Sequence, residues 1–261
     1  MINKLLREQR KLNTITKYPS ILTYHELGKK GTVTEALTPQ KHILSSDEIL
    51  QGTEKIDGTN ARIVICGQDY LIGTREEFIY AKGDRIKNDK ESILVNCIDV
   101  AERIISNNNS DNKLLVIYGE NYGKNIGRNY KNYSSKETAF RVFDMWSMAI
   151  EKVEELLNID LEKLSTWREN GNQPYFEIED LEDYCELYGL EKVPVLFSIK
   201  QKDLPIGIKD MYDFLTQFTS TKVSLDLNLS GKSEGFVIRN SNRTYIKKIR
   251  FEEYQKTLNI R

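Results

Sequence analysis

The chain has few of the residues on which metal clusters, disulfide frameworks and histidine chemistry depend. Its 261 residues include three cysteines and two histidines. Cys66, Cys97 and Cys185 are far apart and form no CxxC pair, which argues against a disulfide framework and a zinc site. We expect them to be reduced thiols in or near the core of a cytoplasmic protein. His25 and His42 lie in no HxxxH or HExxH spacing, so we expect no catalytic histidine.

Long apolar runs and an excess of either charge are also lacking. No stretch approaches the ~20 apolar residues that a membrane-spanning helix needs. The N-terminal MINKLLREQRKLN carries charges where a signal peptide has its apolar centre. The formal net charge is −1, so any nucleic-acid surface must be a local basic patch. We expect a folded protein without a membrane partner, and the sequence does not predict its oligomeric state.

What the chain does contain is a mixture of strand and helix patterns. Runs rich in β-branched and aromatic residues predict strands at 61–67, 69–74, 113–120, 138–146, 234–240 and 244–251. Apolar residues at helical spacing predict helices at 91–106, 177–189 and 209–218. Short turns join some of the strands into hairpins. The mixture favours an α+β fold with antiparallel β-sheets flanked by helices over a parallel doubly wound sheet.

No proline-rich or Ser/Gly-rich linker divides the chain. We therefore expect an N-terminal segment, residues 1–52, that packs on a single domain of residues 53–261. The segment resembles no module that we can name. Eleven residues follow Arg250 (261 − 250), so we expect no C-terminal OB-fold or helical module.

The stretch TEKIDGTNARIVI, residues 53–65, places an amine and a carboxylate two residues apart before an apolar run. Lys55 and Asp57 would point to the same side if the segment is extended. Gly58 would let a ligand approach the backbone. Taken alone, the pattern is also typical of a surface turn that leads into a strand.

Further charged or aromatic residues mark the ends of the predicted strands. Arg75 follows a hairpin in IGTREEF, Glu120 ends an apolar strand in YGENYG, and Phe143 lies within FRVFDMW. Glu234 precedes a glycine in KSEGFVIRN, and the last strand, YIKKIRF, is basic. Each has an ordinary structural explanation, such as a solvent-facing strand end, a core aromatic or a guarded edge strand.

The order of these motifs resembles the covalent nucleotidyltransferase superfamily, which comprises ATP- and NAD-dependent polynucleotide ligases and mRNA capping enzymes. EKIDGTN is similar to the E-K-x-(D/H)-G-T-N element of the nick-sealing RNA ligases. YGENYG is similar to their G-E-x-x-G element, and the 20 residues from Lys55 to Arg75 (75 − 55) suit that branch. The resemblance covers residues 53–250.

The resemblance implies a nucleotidyltransferase ligase domain, ATP-grasp-like in arrangement, and an ATP-dependent RNA ligase. Such an enzyme joins 5′-phosphate and 3′-hydroxyl RNA ends through lysyl-AMP and RNA-adenylate intermediates, in RNA repair. The implied cofactors are ATP and Mg²⁺, with Mn²⁺ as a substitute. The implied partner is RNA, with nicked duplexes favoured.

The resemblance also implies roles for individual residues. Lys55 would attack the α-phosphorus of ATP, and Phe143 would stack on adenine. Glu120 and Glu234 would hold the metal with its water, or the ribose hydroxyls. The expected catalytic residues are Lys55, Asp57, Arg75, Glu120, Glu234 and Lys248. The expected nucleotide-binding residues are Glu54, Ile56, Gly58, Asn60, Arg75, Phe143, Lys247, Lys248 and Arg250.

Some of these roles have alternatives. Glu54 would either read the adenine amino group through its backbone or steer the lysine, and Asn60 and Arg75 could hold the acceptor phosphate. The family's last motif is usually Lys-x-Lys on one strand face. Alternation favours Lys248 and Arg250 for that face and leaves Lys247 as the alternative.

The sequence is compatible with three functions. The first is the RNA ligase. The second is a capping guanylyltransferase or a DNA ligase, against which the lack of an OB-fold argues. The third is an RNA-binding relative without catalysis, against which the intact Lys55, Asp57, Glu120 and Glu234 argue.

Overall fold

The structure is a computed structural model that describes residues 7–107, 112–226 and 228–260. The helices of this part of the chain are α1 (Gln9–Thr16), α2 (Ile93–Asn107), α3 (Ile150–Leu157), α4 (Leu161–Glu169), α5 (Ile178–Leu187), α6 (Ile208–Thr216) and α7 (Phe251–Leu258). The strands are β1 (His25–Leu27), β2 (Val33–Leu37), β3 (Ile49–Lys55), β4 (Thr59–Cys66), β5 (Asp69–Thr74), β6 (Phe78–Ala81), β7 (Asp84–Arg85), β8 (Lys113–Gly123), β9 (Thr138–Ala149), β10 (Val195–Lys200), β11 (Gly235–Arg239) and β12 (Ile246–Arg250).

Two antiparallel sheets form the body of the fold. The larger has six strands in the order β7-β6-β5-β4-β8-β9, and the smaller has four in the order β10-β3-β11-β12. β1 and β2 form a separate antiparallel pair. The prediction of an α+β fold with antiparallel sheets flanked by helices is confirmed.

The six-stranded sheet is covered by helices on both faces. Ile63 and Ile65 of β4 pack in the cluster that contains the buried side of α2. Val64 and Cys66 point to the other face, where α1, α3 and α4 pack. Because successive side chains of a strand alternate between faces, a strand covered on both sides must be apolar at every position. This explains the uninterrupted apolar run in ARIVIC.

The three predicted helices are present, with ends shifted by a few residues. The helix expected at 91–106 begins at Ile93 because Asp89 accepts hydrogen bonds from the backbone N–H groups of Ile93 and Leu94, at 2.9 and 2.8 Å. These bonds satisfy N–H groups that have no partner within the helix. No helix among the described ranges is long and apolar enough to span a membrane.

The N-terminal segment contacts both sheets. Thr23 forms an isolated parallel β-bridge with Lys248. The backbone of Lys248 also forms hydrogen bonds of 3.0 Å with the backbones of Leu22 and Tyr24. Residues 22–24 thereby cover the outer edge of β12. Strand β3 crosses the expected boundary between residues 52 and 53, and the division into two parts stays a prediction. Residues 1–6 of the segment lie outside the described part of the chain.

Candidate active site

A cavity of about 270 Å³ lies where the chain passes from the four-stranded to the six-stranded sheet. β3 ends at Lys55, a short loop follows, and β4 begins at Thr59. One wall is formed by β3, β11 and β12 and the opposite wall by β8 and β9. We call this space the nucleotide cavity. Of the expected residues, those that line it are Glu54, Lys55, Ile56, Asn60, Arg75, Glu120, Phe143, Lys248 and Arg250.

Lys55 is held by a carboxylate that is distant in sequence. Its ammonium forms an ion pair and hydrogen bond with Glu234 Oε2, and both side chains are partly buried. The other Glu234 oxygen, Oε1, lies 3.7 Å from Arg250 Nη1. Gly235 is paired in register with Lys55 on one side and Arg250 on the other. The three strands therefore place an amine, a carboxylate and a guanidinium side by side.

The glycine after Glu234 is required by the backbone. Gly235 has φ +148, and a Cβ atom there would lie 2.0 Å from the carbonyl oxygen of Ile249. A larger residue would force β11 away from β12. The E-G pair in KSEGFVIRN thus keeps Glu234 next to Lys55.

Glu120 forms the opposite side of the site. It is in register with Asn60 of β4, and its Oε1 accepts a 3.1 Å hydrogen bond from the backbone N–H of Gly58. Burial raises the pKa of Glu120 to about 7; nearby Lys55 lowers it and Glu234 raises it. A Cβ on Gly58 would lie 2.3 Å from the Asn121 carbonyl oxygen, so glycine permits this close contact.

Asp57 occupies a different position from the one expected. β3 ends at Lys55, so the extended geometry does not continue to Asp57, which does not line the cavity. Its carboxylate accepts hydrogen bonds from the backbone N–H and the side-chain amide of Asn129, at 3.2 and 2.7 Å. Its own N–H donates to the Tyr133 hydroxyl at 2.8 Å. Asp57 therefore fixes the loop after Lys55 against the loop between β8 and β9.

Alternation along β12 separates the three basic residues. Lys248 and Arg250 line the cavity. Lys247 faces the other side, is buried, and donates to Thr38 Oγ1 at 2.6 Å and the Pro39 carbonyl at 3.0 Å. The structure does not bring Lys247 to the nucleotide cavity, which corrects its expected role as a nucleotide-binding residue. Burial lowers the pKa of Lys248, and the charges of Arg250 and Lys55 lower it further.

Glu54 and Ile56 flank the lysine and point away from it. Residue Glu54 is buried, and its carboxylate accepts hydrogen bonds from the Thr221 hydroxyl and, at 2.8 Å, the backbone N–H of Lys222. Burial raises its pKa. Its side chain therefore anchors β3 to residues 221–222, and only its backbone can face a base. Ile56 belongs to a small apolar cluster with Tyr122.

Phe143 is the aromatic side chain of the far wall. It is partly buried and lies edge-on to Tyr18, with ring centroids 5.1 Å apart. Its position in the cavity fits a ring that stacks on a base, as the sequence predicts. The next residue, Asp144, is fully buried and bonds to Arg239 at 3.0 Å and to the Tyr18 hydroxyl at 2.9 Å.

Arg75 and Asn60 each bring a buried polar atom to the cavity. Arg75 Nε and Asn60 Oδ1 are buried without a hydrogen bond within the described ranges. Arg75 is otherwise held by Ser20 Oγ, 2.7 Å from its Nη2. A buried polar group without a partner carries a free-energy cost, so these atoms are suited to a ligand. A guanidinium N–H suits a phosphate, and rotation of the Asn60 amide would present its NH₂ group instead.

The residues fit a divalent cation that is held mainly by its substrate. The described part of the chain has no group of three or more His, Cys, Asp or Glu side chains that could hold a metal ion. Glu120 and Glu234 instead face Lys55 from two sides. Mg²⁺ commonly binds through one or two carboxylates together with water and substrate phosphates, which this pair could provide.

Sequence reasoning missed the wall formed by the N-terminal segment. Tyr18, Pro19 and Ile21 line the cavity, and Ser20 binds Arg75. No local pattern marks these residues, because their contacts are with elements far along the chain. Asp144 did have a signal, since a charged residue inside an apolar strand implies a buried partner.

Comparisons with known proteins identify the family of this chain. The family model described as RNA ligase matches residues 48–253. A search of curated proteins found no match. Solved structures of Naegleria gruberi RNA ligase variants have a similar fold. A variant with AMP and Mn has a TM-score of 0.55 at 13% identity over 94% of this chain and 65% of that one. A variant with ATP and Mn gives 0.53 and 13% over 94% and 62%. An apo variant gives 0.53 and 16% over 93% and 64%.

This chain thus spans less than two thirds of the length of those structures. Because the sequence identity is low, the structural likeness shows a shared fold and nothing more. The family match covers most of the chain and includes both sheets of the cavity, from β3 to β12. The chain belongs to the RNA ligase family.

Proposed function

We propose that this protein is an ATP-dependent RNA ligase that joins 5′-phosphate and 3′-hydroxyl ends through lysyl-AMP and RNA-adenylate intermediates. The observation that carries the proposal is the convergence of Lys55, Glu120, Lys248 and Arg250 in one cavity between two sheets, with Glu234 paired to Lys55 beside it. A nucleophilic amine, carboxylates and cations are the groups that covalent nucleotidyl transfer requires.

In the first step Lys55 Nζ attacks the α-phosphorus of ATP, and the bond to pyrophosphate breaks. The amine must first lose a proton and separate from Glu234, which pairs with its ammonium in the structure. Lys248 and Arg250 supply positive charge at the cavity wall for the α-phosphate. Mg²⁺ or Mn²⁺, when bound, would screen the phosphate charge and orient the pyrophosphate, and Glu120 and Glu234 are the carboxylates that would hold it.

In the second step an oxygen of the RNA 5′-phosphate attacks the lysyl-AMP phosphorus and releases Lys55. In the third the RNA 3′-hydroxyl attacks the activated 5′-phosphate and AMP leaves. Both steps require a phosphate in line with the reacting bond. Arg75, with its unpartnered Nε, and Asn60 lie in the same cavity and are suited to hold that phosphate.

The adenine is bound in this proposal by the apolar part of the cavity. Phe143 stacks on the base, Ile56 contributes apolar surface, and the backbone of Glu54 faces the base edge. Gly58 acts indirectly, since its N–H holds the Glu120 carboxylate. Asp57 positions the loop that follows the nucleophile.

The physiological setting is also a proposal. We propose that the natural substrates are RNA breaks awaiting repair, with nicked duplexes favoured, and that the protein acts in the cytoplasm. The duplex preference rests on the similarity of EKIDGTN to nick-sealing ligases, and the location on the few, separated cysteines.

A panel of labelled nucleotides tests the proposed function. The protein is incubated with labelled ATP, GTP or NAD and Mg²⁺, and acid-stable label on the protein is measured. Label from ATP supports the ligase. Label from GTP would support a capping enzyme instead, label from NAD a different ligase class, and no label a non-catalytic RNA-binding protein. Sealing of matched nicked and single-stranded RNA and DNA then reports the substrate.

A further inference from the structure

A second cavity of about 250 Å³ lies on the other side of residues 19–22 from the nucleotide cavity. Its walls are residues 19–22, residues 39–42, the segment 168–175 and the hairpin 242–247. Pro19, Ile21 and Ile246 line both cavities, so the two spaces are adjacent. We call the second space the basic cavity because Lys41, Arg243 and Lys247 line it.

Arg243 is a buried cation of this cavity, and its guanidinium group is only partly hydrogen-bonded within the described ranges. Its side chain is 6% exposed, and its guanidinium stacks on Tyr175 at 3.6 Å from the ring centroid. Its Nε binds Asp144, but Nη2 has no hydrogen-bond partner within the described ranges. Asp144 also binds Arg239, so one carboxylate faces two guanidinium groups, and Arg239 interacts electrostatically with Glu179 as well.

Lys247 is a second buried cation of this cavity. It is 4% exposed and donates to Thr38 and Pro39, which offer only uncharged oxygen atoms. It forms no salt bridge within the part of the chain that the structure describes. Burial lowers its pKa, a cost that a nearby anion would offset. A buried charge that lacks a counter-ion is unfavourable, which favours binding of an anion.

The cavity opening adds a flexible cation. Lys41 is exposed, lines the cavity, and reaches Asn170 Oδ1 at 3.1 Å. Arg168, by contrast, is neutralised by Glu169 at 2.7 Å. Within the described ranges, the cations of this cavity that form no ion pair are thus Lys41 and Lys247.

We propose that the basic cavity binds a phosphodiester of the RNA strand whose end lies in the nucleotide cavity. The inference rests on the proposed function, which brings an RNA end beside Lys55. The guanidinium N–H of Arg243 and the exposed ammonium of Lys41 are strong donors to phosphate oxygens. Lys247 contributes its charge, because Thr38 and Pro39 already accept hydrogen bonds from its ammonium. The shared wall lets one continuous strand reach both spaces. Two walls of the cavity, residues 19–22 and 39–42, lie outside the residues 48–253 of the family match, whereas the segment 168–175 and the hairpin 242–247 lie within it.

The test measures the affinity for a fluorescent 5′-phosphorylated single-stranded RNA as a function of salt. The variants are Lys41→Ala, Lys247→Met and the double substitution. Lys163→Ala removes the same charge from an exposed position that lines neither cavity and serves as the matched control. Each lost phosphate contact should make the negative slope of log affinity against log salt shallower by about 0.7. This corresponds to about a fivefold loss of affinity at 0.1 M salt.

Self-adenylylation with labelled ATP is measured on the same proteins. We expect it to be unchanged, because ATP occupies the other cavity. An RNA slope equal to that of Lys163→Ala would overturn the proposal. So would a raised ATP requirement with an unchanged RNA slope, which would assign the basic cavity to nucleotide phosphates. Should Lys247→Met fail to fold, the exposed Lys41→Ala decides alone. Absence of lysyl-AMP in the wild type would refute the proposed function, while the RNA titration would still report on this site.

Discussion

Lys55 and Glu234 form an ion pair although 179 positions separate them in the sequence. The pair exists because β11 lies between β3 and β12, with Gly235 opposite both Lys55 and Arg250. Glu234 thereby orients the amine of Lys55 and also contacts Arg250 of the last strand. The same carboxylate must release the amine before Lys55 can attack a phosphorus atom.

Glu234→Gln should reduce self-adenylylation on the order of 100-fold, because a neutral amide neither accepts the lysine proton nor binds a metal ion as a carboxylate does. The protein should remain folded, since the side chain is partly exposed. Rates of lysyl-AMP formation under single-turnover conditions provide the measurement. Glu252→Gln, at an exposed position paired with Lys256, is the control. Equal rates for the two variants would show that Glu234 has no part in the reaction.

The raised pKa of Glu120 predicts a pH-dependent stability. Folding raises this pKa from 4.5 to about 7, so the folded protein holds a proton that the unfolded chain has released. The free energy of unfolding should therefore fall as pH rises through about 4.5–7, by about 1–3 kcal/mol. Glu120→Gln, which cannot titrate, should lack this component. Denaturant titrations at pH 5 and pH 8, without metal or ATP, measure the free energy of unfolding of the wild type and of Glu120→Gln. An equal decrease in the two proteins would argue against a raised pKa of Glu120.

Lys247 and Lys248 are neighbours with opposite expected phenotypes. Lys248→Met should lower self-adenylylation about 100-fold, since it removes a cation from the nucleotide cavity. Lys247→Met should change that rate by less than about threefold but lower stability by about 1–3 kcal/mol, because Thr38 and Pro39 lose their donor. Label incorporation and thermal unfolding on both variants distinguish the two effects. The opposite assignment would mean that β12 presents the other face to ATP.

Phe143→Ala should raise the ATP concentration needed for self-adenylylation more than it slows sealing of a pre-adenylylated RNA. Loss of one stacked ring costs about 1–3 kcal/mol by analogy with base stacking on aromatic side chains. Phe143→Tyr keeps the ring and should retain near-normal ATP dependence. An unchanged ATP requirement in the alanine variant would place Phe143 in the core rather than against adenine.

Much of the fold could be predicted from the sequence because the central strands and helices are strongly patterned. β4 and β5 agree with the expected runs, and the prediction of antiparallel pairing followed from their short hairpin. β3 was missed because Gly52 and Glu54 occupy two of its three buried positions, so that the apolar side chains of ILQGTEK are confined to its first two residues. The edge strands β7 and β10 were missed since they are short or largely exposed and carry little apolar pattern.

The site was predictable as far as motif order and alternation reach. Lys55, Glu120 and Lys248 could be grouped because the motifs that contain them follow the order of the covalent nucleotidyltransferase motifs, and alternation favoured Lys248 over Lys247. The role of the segment around Tyr18 and Thr23 could not be read, since its contacts with Phe143 and Lys248 arise only after folding. The position of Asp57 depended on where β3 ends, which the sequence does not mark.

The most direct test of the central claim is the identity of the covalently labelled residue. Wild-type protein and Lys55→Ala are incubated with labelled ATP and Mg²⁺, and the label is mapped by peptide mass spectrometry. We predict one AMP on Lys55 in the wild type and none in the variant, while the variant still seals RNA supplied with a pre-formed 5′-adenylate. Label on another residue, or undiminished label in Lys55→Ala, would contradict it.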